Sequence, residues 1–251
     1  MTVQMKAIVA AVAGVLLCAA PAFAQTPEAA PAEAAATREP MPVSHFVGVF
    51  QGPTKVVSEF EAFCEHTAFI ADAFPGLMPQ TGPIGLAPFY TDYLRFESET
   101  AWVECGKQPK EILRLPIDTH GRWYRFTRRL VETGVRRGSG RWITAMPDFS
   151  SPTDIVAALR GTRNLLEDCA DRPSLVEEMT AKVTADLQAV LDEFGSILLA
   201  GQEGISSWMG IWCPKRYAVL QCDFSTMISS PMFDRLCLPF IAHLAETAEF
   251  S

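Results

Sequence analysis

The sequence predicts an α/β domain with parallel strands, and three stretches carry that expectation. From Tyr217 to Ala245 (YAVLQCDFSTMISSPMFDRLCLPFIAHLA) a short strand-forming run gives way to a polar break at Asp223-Phe224-Ser225. An apolar pattern of helical period then follows at Met232, Phe233, Leu236, Phe240, Ile241 and Leu244. From Arg141 to Gly161 (RWITAMPDFSSPTDIVAALRG) the same order recurs around the same tripeptide, Asp148-Phe149-Ser150. Between them, Pro173 to Phe194 carries one apolar stripe (Leu175, Met179, Val183, Leu187, Val190, Leu191, Phe194), as a helix covering a sheet would. Two strand–loop–helix units therefore share one loop chemistry.

Taken in order, the chain opens with Lys6 and an apolar run, Ala7 to Ala20, shorter than the roughly 20 residues of a membrane-spanning helix. Ala22-Phe23-Ala24 before Gln25 has the small-residue pattern of a signal-peptidase site, so residues 1–24 read as a secretory signal peptide and the mature protein is expected in the periplasm or outside the cell. Were the true start further downstream, the protein would be cytoplasmic. Residues 25–42 are rich in Ala, Pro and Glu and read as a flexible linker. Residues 43–251 are one domain by length.

Within that domain, Val43 to Phe50 reads as a strand and Lys55 to Phe74 as a helix closed by Pro75-Gly76. The Gly- and Pro-rich segment to Pro88 reads as a shaped loop. Ala101 to Cys105 is a strand candidate. His120 to Arg137 is an amphipathic helix with Trp123, Phe126 and Leu130 on one face and Arg122, Arg125 and Arg129 on another. Gly138 to Gly140 turn into the strand Trp142 to Met146, and Ser151, Pro152 and Asp154 form a capping signature. A helix around Arg163 to Cys169 precedes the long helix, which Gly195 is expected to end. Ser196 to Ala200 reads as a buried strand, and Gly201 to Pro214, with Trp208 and Trp212, as a ligand wall or a packed loop. Ser230 is expected to cap the last helix, with Pro231 at its first position.

Composition narrows the partners. The chain is 49% hydrophobic and 20% charged, enough to bury a core. A net charge of -8 and a pI near 5.1 give no reason to expect nucleic acid or an anionic membrane surface, which leaves a small molecule or a second subunit of a homo-oligomer. Of seven cysteines, Cys18 would leave with the signal peptide, and the remaining six show no C-x-x-C pair or regular framework, so free, mostly buried thiols are expected, although in a periplasmic protein an even number could pair and the spacing does not say which. Cys64-Glu65-His66 is a poor metal site, because helical residues two apart point about 200° from one another around the axis.

Loops that follow parallel strands are where such folds handle ligands. Asp148 and Asp223 are therefore the catalytic candidates, and Ser150, Ser225, Trp208 and Trp212 the substrate-binding candidates. A carboxylate here could hydrogen-bond pyrrole or amine N–H groups or stabilise a developing cation, and two could divide acid and base roles. Either aspartate could equally serve only as a loop or helix-cap carboxylate.

Several ordered segments also resemble a known family. SSPTDIVAALRGTRNLLEDCADRPSLVEEM, MISSPMFDRLCLPFIAHL, FPGLMPQTGPIGLAPFY and TAWVE resemble the uroporphyrinogen decarboxylase-like superfamily over about Phe74 to Ser251. The resemblance implies a (β/α)8 barrel and, as family chemistry, cofactor-free porphyrinogen decarboxylation or zinc-dependent methyl transfer. The departures are specific. The arginine-bearing N-terminal motif of the decarboxylases is not matched, since Arg38 in the linker is the only arginine before Arg95. Ala157 and Ala158 stand where the catalytic tyrosine is expected. The His-x-Cys zinc motif should follow the Leu238-Pro239 segment, where the chain ends, so no cofactor is expected unless a further C-terminal part supplies zinc ligands. Five strand candidates, near Phe46, Val103, Ile143, Leu198 and Val219, match a partial TIM-type barrel rather than a closed one of eight. The reading is a uroporphyrinogen decarboxylase-like protein, a lyase or methyltransferase by ancestry, inactive as it stands. The alternative is a non-catalytic exported small-molecule-binding protein.

Overall fold

A computed structural model describes residues 52–79, 85–96, 101–103 and 105–247. The expected signal peptide, linker and strand near Phe46 lie outside the described residues. The chain is an α/β protein, rich in helix, and among the described residues each strand is two residues long. Helix α1 (Pro53–Glu65) leads to β1 (Gly76–Leu77) and a 3-10 turn (Ala87–Phe89), then to the antiparallel pair β2 (Arg95–Phe96) and β3 (Ala101–Trp102). Next come α2 (Pro109–Ile112), α3 (Arg122–Gly138), β4 (Ile143–Thr144), α4 (Pro152–Arg160), α5 (Thr162–Asp171) and α6 (Pro173–Leu199). The chain continues with β5 (Ile205–Ser206), β6 (Trp212–Cys213), a second 3-10 turn (Asp223–Met227), α7 (Ser230–Leu236) and α8 (Leu238–Thr247).

Three strands run parallel in the order β1, β4, β5. Gly76 pairs with Ile143 and Leu77 with Thr144, and a parallel bridge joins Ala145 to Ser206. So short a ladder has few backbone hydrogen bonds, and a side chain supplies the missing ones. The Thr144 N–H donates to Gln202 Oε1 at 3.0 Å, while Gln202 Nε2 donates to the carbonyls of Thr144 and Gly204, each at 2.7 Å. The Gln202 amide thus occupies the rung beside β4 as a strand backbone would, since a primary amide offers the same donor and acceptor as a peptide. Helix α3 closes onto this sheet at Gly134, where an added Cβ would lie 2.6 Å from Leu77 Cδ2 and 2.9 Å from Thr144 Oγ1, so only glycine permits the approach.

Helix α6 is the spine of the core. Val176, Met179, Thr180, Val183, Leu187, Val190, Phe194 and Leu198 are buried along one stripe, against which α3, α4, α5 and α8 pack. Phe194 lies in an aromatic cluster with Phe89, Tyr124 and Phe149. Polar ties hold the same helices: Tyr90 donates to Asp186 at 2.6 Å, Tyr124 donates to Glu193, and buried Arg160 donates to buried Asp168 at 2.8 Å. The Arg122, Arg125 and Arg129 side chains of α3 are exposed, with Arg122 over the Trp123 ring. Among the described residues no helix is long and apolar enough to cross a membrane.

The structure corrects several elements. The first helix stops at Glu65 rather than Phe74, because the chain folds back through a left-handed Ala71 (φ 55°) and Phe69 packs edge-on to Phe63. Ser196 to Ala200 is not a strand: the buried i, i+4 sequence Val190, Phe194, Leu198 carries α6 through Gly195, whose interior penalty of about 1 kcal/mol the packing outweighs. Tyr217 to Leu220 is not a strand and has no strand partner among the described residues, and Ala101–Trp102 pairs antiparallel rather than joining the parallel sheet. The final helix breaks at Cys237, since Pro239 cannot continue α7 but suits the first turn of α8, and the residue at the N-cap of α7 is Ser229 rather than Ser230. The remaining parallel strands, β1 and β5, lie inside the two segments expected to be loops.

The Gln202 amide generates a test. Gln202→Ala leaves the Thr144 N–H and carbonyl unpaired beneath the surface and is expected to lower unfolding free energy by about 1–3 kcal/mol in urea denaturation. Gln202→Glu, which keeps the acceptor but not the donor, should be nearly as damaging; a change within about 0.5 kcal/mol for both would mean the rung is dispensable.

Candidate functional site

The C-terminal ends of β1, β4 and β5 all point to one side of the sheet, so the residues after them converge. After β4 the chain runs through buried Ala145, Met146 and Pro147 to half-buried Asp148. Phe149 turns inward against Phe89 and Phe194, with ring centroids 5.7 and 5.2 Å away, which directs Asp148 outward from the core. Ser150 takes a left-handed conformation (φ 59°), and its N–H donates to Asp148 Oδ1 at 3.0 Å. Gln221 Nε2 stands 3.5 Å from the other carboxylate oxygen. The Gly- and Pro-rich segment seals this loop: the Leu86 N–H donates to the Phe149 carbonyl at 3.1 Å, and a Cβ on Gly85 (φ 57°) would lie 2.6 Å from Ser150 Cβ.

Asp154 joins the two Asp-Phe-Ser loops. Ser151 caps α4 by accepting the Asp154 N–H at 3.2 Å and donates its hydroxyl to Asp154 Oδ2 at 2.8 Å. The Asp154 carboxylate then accepts the N–H groups of Asp223 (3.2 Å) and Phe224 (2.8 Å), 70 residues further on. Phe224 is buried, and Asp223 is exposed at the start of its 3-10 turn. The Ser225 hydroxyl is spent locally, donating to the Cys222 carbonyl at 2.6 Å.

The clustering of three carboxylates has an electrostatic cost. Burial pushes the Asp148 carboxyl above the ordinary carboxylate range, the Ser150 N–H opposes the shift, and the negative charges of Asp223 and Asp154 add to it. Burial likewise raises Asp154, against the stabilising hydrogen bonds from Phe224, Ser151 and Asp223. Asp148 and Asp223 are therefore brought near enough for their charges to act on each other.

Two openings flank Asp148. A crevice of about 10 Å³, room for roughly one water, is lined by Asp148, Ser150, Leu187, Ser207 and Trp208 among others. Beside it lies a cavity of about 570 Å³, bordered by Phe69, Asp72, Phe74, Met78, Ser206 and Trp208. Ser207 and Trp208 belong to both, so they form the partition between carboxylate and cavity. Trp208 is 48% exposed at the rim. Trp212, on β6, borders neither opening; its indole lies against Gly204.

Several members of this site were not singled out from sequence. Asp154 was read only as part of a helix cap, although a Ser-x-x-Asp cap adjoining one of two duplicated loops was the available signal. Phe69, Asp72 and Phe74 were assigned to a helix, and Ser206 and Ser207 to an undivided loop. Among the described residues, no group of three His, Cys, Asp or Glu side chains could hold a metal ion. No protein-family model and no curated protein matches the chain.

The raised carboxyls make stability depend on pH in a defined direction. Both groups hold a proton more tightly folded than unfolded, so each favours the folded state most fully below the ordinary aspartate value of 3.8 and loses that contribution as pH rises through its raised folded value. Asp148→Asn keeps the acceptor for the Ser150 N–H and removes one titration. In thermal unfolding the variant is expected to exceed wild type at pH 7, with the advantage shrinking toward about pH 4. A difference independent of pH would mean the carboxyl titrates alike in both states.

Proposed function

We propose that this chain binds a small molecule bearing pyrrole-type N–H groups, as porphyrinogens and simpler pyrroles do, and retains it without turnover. The observation that carries the reading is the cavity at the C-terminal ends of three parallel strands, walled by Phe69, Phe74, Met78 and Trp208 and separated from Asp148 by a single residue pair. Its volume falls within the roughly 300–1,000 Å³ range of small-molecule sites, and an apolar wall with few polar groups is their usual chemistry. Asp72 and the Ser206 and Ser207 hydroxyls offer acceptors for ligand N–H groups.

The reading goes with a fold proposal: β1, β4 and β5, with α3 and α6 among the intervening elements, are part of a (β/α)8 barrel of the uroporphyrinogen decarboxylase-like kind. Strands in parallel register with helices between them, and an opening at their C-terminal side, support it. An exported location follows from the Ala22-Phe23-Ala24 sequence. A catalytic reading, in which Asp148 donates a proton to a pyrrole carbon during decarboxylation, has one observation in its favour, the raised carboxyl of Asp148.

The test uses the full chain and uroporphyrinogen under anaerobic conditions, with quenching of tryptophan emission reporting binding and chromatography reporting products. Saturable quenching with unchanged ligand is the expected outcome. Trp208→Ala should weaken affinity about tenfold, the loss of roughly 1.4 kcal/mol of aromatic contact. Ligand that loses carboxylate at a rate abolished by Asp148→Asn would replace retention by catalysis, and absence of binding to uroporphyrinogen and to simpler pyrroles alike would end the proposal.

A further inference from the structure

We infer that the tip of the β5–β6 hairpin, Trp208 to Trp212, seats the protein on the surface of an electrically neutral lipid bilayer. All five residues of this Trp-Met-Gly-Ile-Trp run are exposed, and its four side chains are each 46–52% exposed. Single exposed apolar residues are common on any protein, but a consecutive run of them is not retained without a use. The tip is also held in shape. Ile205 pairs with Cys213 and Ser206 with Trp212 across the antiparallel ladder. Buried Ser207 then shapes the turn, its hydroxyl accepting the Met209 N–H at 3.3 Å and its carbonyl accepting the Gly210 N–H at 2.9 Å, while Gly210 takes a left-handed φ of 70°. One edge of the Trp212 indole rests on Gly204, which leaves the rest of the ring in solvent. A fixed backbone therefore displays these side chains.

Charge decides what the tip meets. From Gly204 to Pro214 no residue is acidic or basic, and exposed Glu203 and Lys215 stand at the two ends of that stretch. With no cation on the tip and a net charge of -8 on the chain, neither an anionic lipid surface nor a second copy of the chain is drawn to it. A zwitterionic bilayer carries no net charge to oppose the approach. Its interface also suits these side chains, because indole rings settle at headgroup level with their N–H groups toward water, and Met209 and Ile211 between them reach the acyl boundary. The opposite rim of the cavity is apolar too. Phe69 and Trp208 border the same opening, and Ile70, the neighbour of Phe69, is 78% exposed. Among the described residues Asp72 is the one charged residue bordering that cavity, and the choline cations of a zwitterionic lipid match it. Attachment through this tip brings the cavity mouth to the headgroup layer, whether or not the cavity holds a pyrrole.

The experiment mixes the full chain, with no pyrrole added, with vesicles of phosphatidylcholine and follows sedimentation and tryptophan emission. Residues 1–24 contain no tryptophan, so quenching by lipid brominated on its acyl chains reports on the domain and not on the N-terminal apolar run. The expected result is co-sedimentation with a blue-shifted emission that brominated lipid quenches, unchanged at about 0.5 M salt, where surface charge is screened. Met209→Asp combined with Ile211→Asp should lower partitioning about tenfold or more, since carboxylates resist transfer out of water. Both positions are half-exposed, so thermal unfolding of that variant should match wild type. Trp208→Phe with Trp212→Phe should keep most of the partitioning and lose most of the quenching. Absence of co-sedimentation, sedimentation without quenching, quenching undiminished in the aspartate variant, or attachment that requires anionic lipid and disappears in salt would each overturn the inference. So would a dimer in lipid-free solution that the aspartate variant no longer forms, which would assign the tip to a second copy. Quenching of the wild-type chain decides the matter even if a variant fails to fold.

Discussion

The carboxylate of Asp154 is the interaction on which the site depends. It accepts the Ser151 hydroxyl at the start of its own helix and two backbone N–H groups from the second Asp-Phe-Ser loop. Through it a local device, a helix cap, becomes a long-range one. The first loop is already fixed to the sheet by β4 and to the core by Phe149, so whatever Asp154 holds inherits that position. Asp223 reaches the neighbourhood of Asp148 in this way, with no strand of its own to bring it there. Charge-assisted hydrogen bonds are stronger than neutral ones, and here they counter part of the cost of burial and of the repulsion among three carboxylates, which still leaves the Asp154 carboxyl raised.

Helices were legible in the sequence because their apolar stripes are long and regular: Arg122–Gly138, Thr162–Asp171 and the bulk of Pro173–Leu199 follow from periodicity alone. Strands were not. A two-residue strand has no alternation to detect, and Gly76–Leu77 and Ile205–Ser206 sit among glycines, prolines and serines that read as loop. Conversely, Ser196 to Ala200 and Tyr217 to Leu220 have strand-like composition, and what each became was decided by neighbours: the former continues the stripe of α6, and the latter lies across the crevice without a pairing edge.

The candidate site divides along the same line. Duplicated Asp-Phe-Ser tripeptides after strand-like runs pointed to Asp148 and Asp223, and the shared chemistry of the loops is real in one respect, since both phenylalanines are buried anchors. The serines differ: Ser150 shapes the Asp148 turn through its backbone, while Ser225 spends its hydroxyl within a 3-10 turn. The two tryptophans also part company. Trp208 follows a parallel strand and stands at the cavity rim, whereas Trp212 lies on the antiparallel return strand and packs on Gly204. Direction of chain travel, invisible in composition, separates them.

The Gln202 amide has a consequence for how this chain can vary. Surface connections between helix and strand ordinarily accept insertions and deletions, because nothing in them is counted by the rest of the fold. Gly201 to Gly204 is such a connection by its location, yet Gln202 grips Thr144 two residues before its own chain reaches Gly204, whose carbonyl it also binds. The spacing between the end of α6 and β5 is thereby measured against β4. One residue more or fewer would slide Ser206 from its partner Ala145 and turn Ser206, Ser207 and Trp208 to the opposite faces, moving the cavity wall into the core. A four-residue surface segment therefore has the length constraint of a buried strand, and exchange of its residues should be far better tolerated through descent than any change in their number.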